Sequence, residues 1–179
     1  MTNPTTQKGF TIVETLVAIT ILMIAIAGPL SIASKSLTAA VTSRDQFVAS
    51  YLAQESMEAV KNIRDNNLFV GNSWLTASPA LNACTSGNPC DASAIDSSPI
   101  QSGKANPLKL TASNYYSHAG SGTNTPFTRY FYLAEPKPNN GNDCKVSDME
   151  CVVTVEVDWN EGAVPYSIVV NSTIVNEQR

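Results

Sequence analysis

From Phe10 to Ile32 the chain runs almost unbroken through apolar residues, and the single charge inside that run is Glu14. A bilayer crossing needs about 20 apolar residues, and this run supplies them. An acidic side chain at mid-membrane costs roughly 2.5 kcal/mol or more, so a segment serving only as an anchor has no reason to carry one. A secretory signal peptide fits less well. Its apolar core spans roughly 7–15 residues and holds no carboxylate, although Ser31-Ile32-Ala33 offers small residues of the kind such signals are cut at. A plain membrane anchor accounts for the length of the run and leaves Glu14 unexplained.

The stretch Lys8-Gly9-Phe10-Thr11-Ile12-Val13-Glu14-Thr15-Leu16-Val17-Ala18 resembles the cleavage and N-methylation motif of type IV prepilins and type II secretion pseudopilins. The resemblance implies that a membrane peptidase cuts between Gly9 and Phe10 and methylates the new amino terminus on Phe10. It implies that Glu14 is matched with the terminal amine of a neighbouring subunit in a helical filament. The partners that follow are the prepilin peptidase/methylase, other pilin subunits, the inner-membrane assembly platform and, before assembly, the lipid bilayer. Lys8 on the leader side fits a cytoplasmic leader by the positive-inside tendency, which Lys35 at the far end weakens. The expected organisation is a leader over 1–9, a membrane-inserted helix and filament-core stem over 10–35, and an amphipathic helix with an extracytoplasmic β head over 36–179. The expected location is a single-pass cytoplasmic membrane protein that later joins a surface or periplasmic filament.

Gly28-Pro29 lies inside the apolar run. Proline removes an intrahelical donor and crowds the preceding turn, so the helix is expected to bend or loosen near Ala25 to Pro29. Such a pair is also tolerated as a kink in membrane helices. Helix-breaking residues here in related pilins imply local melting as subunits pack.

Beyond Pro29 the pattern becomes amphipathic. Leu37, Val41, Val48, Leu52, Ala59 and Ile63 recur at helical spacing, and Glu58 with Lys61 forms an i,i+3 pair. No proline interrupts Ser31 to Asn67, and Asn66-Asn67 offers a stop. The two halves together predict one helix of about 55 residues, roughly 80 Å long.

The head reads as strands after a long loop. Asn72 to Asn106 is rich in Pro, Ser and Ala and predicts little regular structure. Leu108 to Thr111 and Tyr115 to Ser117 flank a Ser113-Asn114 turn. In Phe127 to Ala134, the residues Phe127, Arg129, Phe131 and Leu133 alternate with Thr128, Tyr130 and Tyr132. Val153, Val155, Val157 and Trp159 alternate with Thr154, Glu156 and Asp158, and Asn160-Glu161-Gly162 turns the chain into Tyr166 to Val175. This predicts antiparallel hairpins with one buried face, whose core is Val153, Val155, Val157, Trp159, Ile168, Val170 and the helix face. The fold class is therefore α+β, a long helix packed on an antiparallel sheet, an order that matches the pilin fold. Tyr51 to Glu58, Asn62 to Asp65 and Val153 to Trp159 also resemble minor pilins and pseudopilins.

Cys84 with Cys90 and Cys144 with Cys151 form two local pairs in the head. Even number, short spacing and an extracytoplasmic setting predict two disulfides, locally paired, with the other two connectivities still open. Neither pair is C-x-x-C and His118 is the sole histidine, so no metal site is expected. Asp143, Asp148 and Glu150 read as a solvated acidic loop. Some pseudopilins hold calcium on such a loop, but the spacing of an EF-hand is absent here. His118 is expected in an exposed loop, and Gly120-Ser121-Gly122 is too short for a phosphate cradle. With no nucleophile elbow and no catalytic constellation, neither enzymatic activity nor a cofactor is expected. A net charge of −4 with 11 scattered Lys and Arg gives no reason to expect nucleic acid. The function implied is that of a structural, minor filament subunit. The competing reading is a single-pass, membrane-anchored binding domain with no filament role.

Overall fold

The computed structural model describes residues 9–77, 80–93, 106–118, 121–136 and 142–177. Residues 1–8 of the leader, much of the loop before Asn106, and Gly120 lie outside them. Helix α1 runs Ile12–Phe69 as 58 residues, and it passes through Gly28 and Pro29 without interruption. One missing donor at Pro29 does not break a helix whose remaining hydrogen bonds continue on both sides.

The chain divides into two compact units, 1–44 and 45–179. In the first, every described residue through Val41 is exposed, including Leu16, Ile24, Leu30 and Leu37. This is the part of α1 long and apolar enough to cross a membrane.

In the second unit, α1 buries Asp45, Ala49, Leu52, Ala53, Ser56, Met57, Val60, Ile63 and Asn67, a stripe at three- and four-residue steps. Leu37 and Val41 continue the apolar pattern in sequence but are exposed, and the buried stripe of the helix begins at Asp45. The helix ends in a Schellman arrangement. The Asn72 N–H donates to the Asn67 carbonyl and the Gly71 N–H to the Leu68 carbonyl, both at 3.0 Å, while Gly71 takes a φ of 75°.

Six strands follow among the described residues: β1 Lys109–Thr111, β2 Tyr116–Ser117, β3 Gly122–Asn124, β4 Thr128–Ala134, β5 Glu150–Glu161 and β6 Val164–Val175. They form two three-stranded sheets, ordered β2-β1-β3 and β4-β5-β6, and every pairing is antiparallel. The β5–β6 hairpin keeps its register from Glu150 opposite Val175 to Glu161 opposite Val164. Gly162 sits at a φ of 61° at the first of the two connecting positions, as a type II′ turn requires.

On β5 the alternation sends Cys151, Val153, Val155, Val157 and Trp159 into the core, where they join Leu52, Met57, Val60, Phe131 and Leu133. Each such aliphatic side chain contributes about 1.5–3 kcal/mol when fully buried. Ile168 and Val170 of β6 are only partly buried against this cluster. The loop after α1 contributes more than expected, since Trp74, Leu75 and Leu81 are all essentially inaccessible. Tyr116, Phe127, Trp159 and Tyr166 form a chain of ring contacts, with successive centroids 6.2, 6.2 and 5.5 Å apart, that joins the small sheet to the large one.

Candidate functional site

The first turn of α1 begins at a cap. Thr11 precedes the helix, and its Oγ1 accepts the backbone N–H of Glu14 at 3.3 Å. Thr11-Ile12-Val13-Glu14 is the pattern of a capping box, with the carboxylate three residues into the helix. That signal was present in the sequence beside the cleavage motif. It gives Glu14 a second, local role, since an acidic side chain in the first turn opposes the positive end of the helix dipole.

The polar groups further along the apolar run behave differently. Thr15 donates to the Ile12 carbonyl and Thr20 to the Val17 carbonyl, both at 2.8 Å. A hydroxyl so bonded to its own helix can enter a bilayer without an orphaned donor. The Glu14 carboxylate has no bonded side-chain partner among the described residues, and Gly9 and Phe10 stand exposed beside it. Gly9, Phe10 and Glu14, the residues expected to serve processing and assembly, are thus gathered at one accessible helix start, whereas Gly28 and Pro29 lie further along the helix.

The cysteines bond locally, Cys84 with Cys90 and Cys144 with Cys151, with Cα–Cα distances of 5.3 and 5.9 Å. The first bridge is tied to the free edge of β4. Cys90 and Phe131 exchange both backbone hydrogen bonds, at 3.0 and 2.7 Å, and the Leu133 N–H donates to the Cys84 carbonyl at 2.9 Å. The second closes the loop that holds Asp148, whose Oδ2 accepts the Lys145 N–H at 2.7 Å.

Next to Cys90 lies a group of charges that sequence reasoning missed. Asp91 and Arg129 are fully buried. Arg129 donates from Nε to Asp91 Oδ1 at 2.6 Å and from Nη2 to Oδ2 at 3.1 Å, a bidentate pair. Its Nη1 reaches Glu55 Oε2 at 2.9 Å and the Leu52 carbonyl at 3.3 Å on α1. His118 was expected in an exposed loop, yet its side chain is only 4% exposed. Its Nδ1 lies 2.7 Å from Asp91 Oδ2 and its Nε2 lies 2.8 Å from the Asn106 carbonyl oxygen. An arginine in register with Phe127, Phe131 and Leu133 was the available signal, because a charge on a buried face demands a buried partner.

Burial pushes the Asp91 carboxyl up, but the Arg129 charge and the bonds from His118 and Arg129 outweigh it and hold the group below the usual carboxylate range. Burial pushes His118 down, and the bond and charge of Asp91 more than reverse that, so the imidazole stays protonated to higher pH than usual. For Arg129, burial is likewise outweighed by Asp91 and then Glu55.

Residues 4–28 match the family model described as the prokaryotic N-terminal methylation motif. No curated protein and no solved structure matches the chain.

Proposed function

We propose that this chain, whose residues 4–28 carry the methylation motif characteristic of type IV pilins and pseudopilins, is the precursor of a minor structural subunit of a type IV pilus or a type II secretion-like pseudopilus. Prepilin peptidase cuts after Gly9 and methylates Phe10. The stem over 10–35 rests in the cytoplasmic membrane until the assembly platform draws the subunit into a filament, and residues 36–179 form the part outside the membrane. The helix near Gly28-Pro29 loosens when stems pack, at the point where it already lacks a donor.

The observation that carries this reading is the Glu14 carboxylate, without a bonded side-chain partner among the described residues, at the start of an apolar, exposed helix. In the bilayer it is a cost. Beside the amino terminus of a neighbouring stem it becomes half of an ion pair, and losing one half leaves the other charge buried alone, at about 3–5 kcal/mol. Glu14→Leu should insert in the membrane as well as the native chain and should disappear from filaments sheared off the cell. Normal filament incorporation of that variant would overturn the assembly role. A native chain that never leaves the membrane fraction under conditions that produce filaments would favour the anchored binding domain instead.

A further inference from the structure

The bonding around His118 defines its protonation state. The Asn106 carbonyl can only accept, so Nε2 at 2.8 Å must carry a proton. Asp91 already takes two bonds from Arg129 and is held as a carboxylate, so Nδ1 at 2.7 Å must donate as well. Both bonds exist together only on the imidazolium. A neutral ring must point a lone pair either at the Asn106 carbonyl or at the Asp91 carboxylate, and one of the two contacts is lost.

The position of those contacts gives the protonation a mechanical consequence. Asp91 follows Cys90 directly, and so belongs to the segment tied to the edge of β4. Asn106 and His118 bracket the β1–β2 hairpin at its two ends. The imidazolium therefore fastens both ends of the hairpin to the buried Asp91–Arg129 pair. Among the described residues, the ionisable groups around it are Asp91 from the segment after Cys90, Arg129 from β4 and, across that guanidinium, Glu55 from α1. With His118 charged these four groups sum to zero. Without it they leave a net negative charge in a largely buried place.

We propose that His118 is a pH-operated clasp, closed when its ring carries both protons and loosening its hold on the two ends of the β1–β2 hairpin as the ring becomes neutral, while Leu108 stays bonded to Phe127 and Thr125. The His118 pKa is raised on folding, so the clasp is complete below the unfolded value near 6.5 and is lost as pH rises through the folded value above it. The hairpin is thus held tightest in acid. The device is independent of the filament reading and operates in the head whatever the stem does.

Because the chain has one histidine, the test has a single reporter. The full chain, labelled with ¹⁵N-histidine and held in detergent micelles, is titrated by NMR while amide protection is followed over residues 109–117. The expected result is a doubly protonated ring at pH 6.5 and a midpoint above it. Hairpin protection should fall about tenfold per pH unit between 6.5 and that midpoint and then level off. In His118→Gln the step should vanish. A midpoint at or below 6.5, hairpin protection that ignores the ring, or an unchanged step in His118→Gln overturns the proposal. Should that variant not fold, the titration of the native chain decides alone.

Discussion

Arg129 occupies a place on β4 that the alternation of Phe127, Phe131 and Leu133 gives to an apolar side chain. It is accommodated because Asp91 and Glu55 reach it from two other segments. Local pattern cannot reveal this, since Asp91 follows a disulfide loop and Glu55 lies a long way back on α1. For the same reason His118, surrounded in sequence by Tyr, Ser, Ala and Gly, reads as exposed although it is enclosed. Arg129→Ala should destabilise the head by about 3–5 kcal/mol by stranding Asp91, measured as a lowered denaturant midpoint. A loss under 1 kcal/mol would show that the pair is not buried as described. At the other end of the chain, the methylation motif over residues 4–28 was legible because it is written in contiguous residues. On the filament reading, Gly9→Val puts a branched side chain where the peptidase would approach the backbone closely, and uncleaved precursor should accumulate in the membrane. Processing at the native site and rate would contradict the leader assignment.

Among the elements, the β5–β6 hairpin was the most legible, because strict alternation and a glycine turn are both local signals. Its pairing runs closer to the turn than the alternation alone suggests, to Glu161 opposite Val164, and its last strand ends at Val175 as expected. Strand β3 was illegible. Gly122-Thr123-Asn124 has no apolar pattern and is a strand only because it pairs with β1. A Cβ on Gly122 would lie 2.5 Å from the Leu110 carbonyl oxygen, a closeness that only tertiary structure sets. The end of α1 was placed at Asn66-Asn67, whereas the helix continues to Phe69 and stops at Gly71. Gly71→Ala meets no atom within 4 Å but must hold a left-handed backbone, so it should cost about 1–2 kcal/mol with no change in core packing. A melt unchanged from the native chain would rule out the cap. The disulfides close loops of sequence separation 6 and 7, for which chain entropy gives each about 2–3 kcal/mol at most. Reduction should open these loops to protease while the sheet persists, as limited proteolysis and far-UV circular dichroism would show together. Simultaneous loss of the sheet would place the bridges in its core.

At the scale of the molecule, every buried residue among those described lies at Asp45 or beyond. A chain beginning at Ser36 removes none of them and should fold as a soluble domain with a single cooperative transition. Aggregation, or a molten spectrum without dispersed signals, would mean that the head depends on its stem. The long helix before an antiparallel sheet was readable because each half of the helix has its own pattern, one wholly apolar and one striped. The join was less so. Leu37 and Val41 keep the stripe going but are exposed, and on the filament reading those side chains are left for neighbouring subunits. That reading begins with a chemical event at one peptide bond, and mass spectrometry of the amino-terminal peptide from membranes and sheared filaments tests it most directly. The account predicts a mature chain that starts at Phe10 and carries one added methyl group on its terminal amine. A chain retaining its leader in cells that process other prepilins, or a terminus created near Ala33, would contradict it.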